Sequence, residues 1–290
     1  MGVPSPPGPR VLSWLGVPMA GLVLILFFIY LGFPYDLLTE RVSRAVGQSG
    51  SLTLYIDELS PHLGLAGPGF KATGVTAGIP DGASLEIDRA VARAAWSLSW
   101  LRGTPAVHLD LESQIGSIVG TVTLGDHPRF RGELRQVELS EIPARQDSAA
   151  LSLRGRLDAD LDVQSVPEDA GGGVAGVIQF VARDGSMSTE TMPIEIPYDL
   201  MNGQVTLGGE HFAHIESFNL EGPMVSAEGR GSIGQASRLD QRPLDLELSY
   251  EIQEAEIEDM LRSFGVRLGP DGAGEVKVSG TIGKPRTVMR

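Results

Sequence analysis

Cysteine is absent from the 290 residues. That excludes a disulfide frame, a thiolate nucleophile and a zinc site built on Cys. Basic residues are scarce: 23 Lys and Arg face 37 Asp and Glu, for a formal charge of −14. The acidic balance argues against a nucleic-acid partner, which needs a basic face. It argues equally against docking on an anionic lipid surface through charge. Catalytic signatures are missing as well, with no G-x-S-x-G elbow and no HExxH helix. GGGVAG at 171–176 matches G-x-G-x-x-G by letter, but the strand pattern VIQFVAR follows where a dinucleotide fold places a helix. It reads as a turn, and the chain is expected to be no enzyme and to hold no cofactor.

Two clusters have metal-ligand residue types. EHFAHIE supplies Glu210, His211, His214 and Glu216, but an extended chain points His211 and His214 to opposite faces. Asp158, Asp160 and Asp162 line one face of a strand pattern, with Arg154 and Arg156 beside them. Both read as solvated polar surface, and no metal is expected.

What is present begins with a hydrophobic run. Between Arg10 and Asp36 no residue is charged. Residues 12–33 are long enough to cross about 30 Å of hydrocarbon as a helix. Thirteen of them are Leu, Ile, Val or Phe, which favours insertion by roughly 4 to 8 kcal/mol. A cleaved signal peptide has a shorter core and a small-residue cleavage site, so a retained anchor is the better reading. The expected layout is a leader at 1–11, the anchor at 12–33 and a β-rich domain at 34–290. Arg10 on one flank and Arg41 and Arg44 on the other, against Asp36 and Glu40, leave the orientation open. Pro34 stops the run, and the spacing of Leu37, Leu38, Val42 and Val46 predicts an amphipathic helix over 36–46.

From residue 50 a period of two dominates. In LSLRGRLDADLDV (151–163), Leu151, Leu153, Leu157, Leu161 and Val163 alternate with Ser, Arg and Asp. LDLELSYEI (244–252) repeats the pattern, with Leu244, Leu246, Leu248, Tyr250 and Ile252 on one side. Such alternation gives each strand one dry face and one wet face. Turn signals such as IPDGAS, GDHP and GPDGAG separate the strands, which makes neighbours antiparallel. Further helices are expected over 92–101 and 254–264. The loop at 164–173 is the best place for an excursion or a division into halves, and PYDLL (34–38) has a short echo in PYDLM (197–201).

Three short helices cannot cover so many dry strand faces. The sheet must therefore fold over itself as a sandwich or a trough. The fold class expected is mainly β: an N-terminal transmembrane helix, then a long curved antiparallel sheet with few short helices. Trp96 and Trp100, four apart, share a face if helical and read as core, a cap on the sheet end, or a partner or membrane-interface contact. With Leu157, Leu161, Leu246 and Leu248 they form the set of candidate partner or groove contacts.

Several blocks carry a resemblance. FPYDLLTERV directly after the hydrophobic run, YIDELSPHLGLAGPGFKATGVTAG, and SLEIDRAVARAAWSLSWLRGTPAVHLDLE are three of them. HIESFNLEGPMVSAEGRGSIG and VKVSGTIGKPR are two more. Together, through most of residues 30–286, the chain resembles the single-pass form of type II secretion system protein N and the wider AsmA-like group. The resemblance implies an inner-membrane protein with its β-rich domain in the periplasm, the N-terminus inside. It implies a structural part in the export of folded proteins, with other secretion components as partners. It supplies no catalytic residue. The alternative is an AsmA-like lipid carrier whose apolar trough holds acyl chains, so membrane lipid is a second expected partner.

Overall fold

In a computed structural model the alternation becomes fourteen strands. The structure describes residues 24, 28, 30, 32, 35–48, 53–64, 67–78, 84–95, 103–142, 151–167, 172–189, 195–236, 238–254, 269 and 272–289. Helix α1 (Tyr35–Gln48) begins after Pro34, where the amphipathic helix is expected, and runs slightly longer. The strands are β1 (Thr53–Gly64), β2 (Gly67–Gly78), β3 (Ser84–Ala94), β4 (Ala106–Ser113), β5 (Gly116–Thr123), β6 (Arg129–Glu138) and β7 (Leu151–Ser165). Then come β8 (Val174–Thr189), β9 (Ile196–Leu207), β10 (Ala213–Glu221), β11 (Val225–Ile233), β12 (Pro243–Ile252), β13 (Ala273–Thr281) and β14 (Lys284–Met289).

Their order in the sheet is their order in the chain, β1 to β14, and neighbouring strands pair antiparallel. At about 4.8 Å per strand, thirteen intervals span roughly 60 Å. The sandwich alternative is therefore corrected: there is one open sheet, not two packed ones. The physical reason is the sequential antiparallel pairing. Each hairpin returns the chain beside the strand just made, and a chain that only meanders builds no second layer. The connection at 164–173 joins β7 to β8, which pair from Leu151↔Thr189 to Ser165↔Val174, so the sheet is continuous there.

Other expectations meet the structure unevenly. The helix over 92–101 is corrected at its start, because residues 92–94 belong to β3 and pair with β4. The remainder, with Trp96 and Trp100, lies outside the described residues, as does almost all of the helix expected over 254–264. The leader at 1–11 and nearly all of the anchor at 12–33 also lie outside them. Among the described residues no helix is long and apolar enough to cross a membrane, so the transmembrane part of the expected fold has no structural support. The PYD echo is not a structural repeat: Tyr35 opens a helix and Tyr198 lies in β9.

Several irregularities bend the ladder. The β6–β7 register shifts between Leu134 and Val137, where Gln136 has φ 52°. The β7–β8 register shifts between Arg154 and Arg156, opposite Asp184 at φ 52°. In β1–β3 the ladder skips one row, Asp57, Gly74 and Asp88, and the apolar alternation slips by one residue there. Gly74 has φ 60°, and the Asp57 carboxylate occupies the place of its absent Cβ. The extra residue at each of the two register shifts bends its strand and increases its twist.

The tightest packing is one cluster. Ala182, Tyr198, Met201 and Leu220 are buried, with Leu139, Leu157, Phe180, Met187, Phe218 and Ala227 packed against them. Tyr198 is 2% and Leu220 1% exposed. In a single layer such burial requires strands that curve towards one face, so that neighbouring side chains converge.

Candidate functional site

Residues paired across an antiparallel ladder share a face. Following the register gives continuous apolar rows. One row runs Ala92, Leu109, Gly120, Gly132, Leu161 and Ile178. It continues through Val205, Ile215, Gly231, Leu246 and Val278. The next row passes Leu134, Ala159, Phe180 and Gly203, then Phe218, Gly229, Leu248 and Val276. A third joins Val137, Leu157, Ala182 and Met201 to Leu220, Ala227 and Tyr250. Eleven strands, β3 to β13, thus present one unbroken apolar surface.

The structure brings four of the expected contact residues together on this surface. Leu161 and Leu246 occupy the same row, and Leu157 and Leu248 lie in the two rows beyond it. All four are half-buried. Trp96 and Trp100 are not placed. Reading single strands finds the dry faces but not the glycines that recur within the rows. A Cβ on Gly120 would come within 2.6 Å of the Phe130 ring, and one on Gly203 within 2.8 Å of the Phe180 ring. These large side chains lie flat over bare backbone, which lowers the floor of the surface and lets the sheet curve. Among the described residues no second sheet stacks on this face, and the short helical turn Leu139–Glu141 meets it at the buried cluster, where Leu139 packs.

The opposite face is charged. Asp162 accepts from Arg129 at 2.6 Å and from Arg131 at 2.8 Å. Those hydrogen bonds hold its carboxyl at about 2, below the ordinary 3.8. Asp158 accepts the Gln136 backbone N–H at 2.9 Å and pairs with Arg183 at 3.2 Å. Asp160, the middle of the three aspartates, is exposed. On β12–β13, Lys277 meets Asp245 at 2.8 Å. His108, opposite Arg93 on this face, is pushed below its ordinary pKa by burial first and by Arg93 second. Glu216 accepts from Gln204 and Thr206, while His214 is exposed. Among the described residues no group of three His, Cys, Asp or Glu is arranged to hold a metal ion.

Sequence reading also missed a junction. The Tyr30 and Tyr35 rings meet edge-on at 6.5 Å between centroids, and both pack on Phe70 of β2, at 6.2 and 5.9 Å. The sequence signal is the pair Tyr30 and Tyr35 at the end of the hydrophobic run; nothing local names Phe70, 35 positions beyond Tyr35, as their partner. No family model, curated protein or solved structure matches the chain.

Proposed function

We propose that this protein is a membrane-anchored trough that holds the acyl chains of a lipid against its apolar sheet face. One observation carries the reading. A single open sheet shows an apolar surface from β3 to β13 with no second layer over it among the described residues. Uncovered apolar surface of this extent marks a ligand or partner. The surface has no charged side chain in its rows, which suits a hydrocarbon tail. Residues 12–33 serve as the anchor in this reading, in the inner membrane, with the sheet in the periplasm. No catalytic group takes part.

The test uses the full chain, extracted in mild detergent and weighed by native mass spectrometry beside Leu246→Asp and Leu248→Asp. The expected result is phospholipid retained at fixed stoichiometry by the parent and lost from both variants at unchanged circular dichroism. Lipid bound only around the anchor is unaffected by these substitutions. Equal lipid in all three proteins would overturn the reading.

A second reading has its own observation. β14 has one neighbour among the described residues, and Lys284 to Val288 are all exposed. A free strand edge accepts a partner strand. That suits a structural component of the type II secretion apparatus, as the sequence resemblance implies. Deletion of the gene should then stop export of secretion substrates, and undiminished export would count against it.

A further inference from the structure

The β1–β2 hairpin differs from the rest of the sheet in charge. A fifth of the chain is Asp, Glu, Lys or Arg, yet none lies between Glu58 and Lys71. The hairpin closes with Gly64 opposite Gly67. Beside it Leu63 is 55% exposed and Phe70 is exposed. These positions point an apolar, uncharged tip outward.

The same tip is tied to the hydrophobic run. The Tyr30 hydroxyl accepts the His62 N–H at 2.9 Å. It donates within the same pair of strands, where the carbonyls of His62 and Gly69 are its partners. The Tyr35 hydroxyl donates to the Tyr30 carbonyl. Leu24 and Phe28, helical residues just upstream of Tyr30, expose their side chains. Tyr30, Tyr35 and Phe70 thus form an aromatic junction at the end of an uncharged run. Amphipathic rings favour the boundary between headgroups and acyl chains.

We infer that the β1–β2 hairpin tip is embedded in the interface of the bilayer that holds the anchor, placing the first edge of the sheet at the lipid surface. The inference rests on the anchor reading given above. Continuity with the uncharged run, the lack of charge in the tip and the aromatic ring cluster all point to a lipid surface rather than to a protein. Charged residues return at Glu58 and Lys71, where the strands leave the tip. The remainder of the sheet then rises away from the membrane with its charged face in water.

Absence of cysteine permits a direct test in the full chain. Leu63→Cys, Tyr55→Cys and Phe28→Cys are each labelled with an environment-sensitive fluorophore and reconstituted into phosphatidylethanolamine–phosphatidylglycerol vesicles. Leu63 and Tyr55 are both exposed, at 55% and 65%, so neither change disturbs packing. They lie about 27 Å apart along β1. Expected is strong quenching of the Leu63 label by nitroxide lipid and several-fold weaker quenching by aqueous iodide than at Tyr55. A Leu63 label as open to iodide as Tyr55, with Phe28 in lipid, overturns the hairpin proposal and leaves the anchor standing. Phe28 and Leu63 both open to iodide overturn the anchor reading and this one with it.

Discussion

The Tyr198 hydroxyl donates to the Arg154 carbonyl at 2.6 Å, linking β9 to β7 across the intervening β8. The ring reaches that far because Gly155 and Gly185 leave space beneath it. A Cβ on Gly185 would sit 2.2 Å from the Arg154 oxygen and 2.4 Å from the Tyr198 hydroxyl. Burial raises the Tyr198 pKa, so the group is a neutral donor throughout the physiological range. The contact lies in the tightest part of the sheet and pulls three strands into one bend.

Tyr198→Phe keeps the ring and leaves a carbonyl without its donor, which costs about 1 to 3 kcal/mol. Tyr198→Ala removes the ring as well and costs about 3 to 5 kcal/mol. Gly185→Ala forces the same ring aside and should destabilise at least as much as Tyr198→Phe. Because the two groups share one contact, their double variant should fall short of the sum. Urea unfolding of the parent, Tyr198→Phe, Gly185→Ala and the double variant checks this, and strict additivity would refute the shared contact.

Asp162 gives a pH prediction. Its folded pKa, about 2, lies below the unfolded value. The stability it contributes is therefore fully present above the unfolded carboxylate range, near pH 4, and is lost as the pH falls through about 2. Asp162 is about one-third exposed and its arginines more so, so the contribution is about 1 kcal/mol or less. Asp162→Asn should be less stable than the parent at pH 6, and the gap should close near pH 2. A gap independent of pH would assign the effect to packing.

Leu157 and Leu246 both face the apolar surface but should respond differently. Leu157 packs against the buried cluster. Leu157→Asp therefore buries a carboxylate and should cost several kcal/mol. Leu246 lies in the row with Gly231 opposite it, away from that cluster. Leu246→Asp should keep more of the parent stability while losing lipid. Thermal unfolding in parallel with lipid counting separates the two, and equal destabilisation would contradict this division of the surface.

Gln136 holds φ 52° at the β6 bulge. The bond to Asp158 runs from its backbone N–H, which a glycine keeps. Gln136→Gly relieves the left-handed strain and should stabilise by up to about 1 kcal/mol, less the extra freedom of the unfolded chain. Asp158→Ala should act in the opposite sense by releasing the bulge. A neutral Gln136→Gly and a neutral Asp158→Ala together would show that the bulge is set elsewhere.

Local pattern was legible because period two is written residue by residue. Leu157 and Leu161, or Leu246 and Leu248, announce a dry face without knowledge of any neighbour. The turn residues likewise announced sequential antiparallel pairing. The α1 helix followed from Pro34 and the spacing after it. The segment 92–94 misled, because AVARAA suits either element and only the pairing of β3 with β4 decides for strand. The Gly–aromatic pairs were illegible because they join residues on different strands: Gly203 and Phe180 are 23 positions apart and meet only through register.

That the chain is mainly β, that each strand has one dry and one wet face, and that it holds no cysteine thiol can all be read from the residues alone. Those properties depend on residue type and on spacing along the chain. The three-dimensional arrangement alone joins the dry faces in one open sheet rather than two packed layers. It also decided that Leu161 and Leu246, far apart in sequence, share a row, and that Tyr30 ties the hydrophobic run to the first hairpin. Register and curvature set these relationships, and both arise from contacts between strands that no single strand specifies.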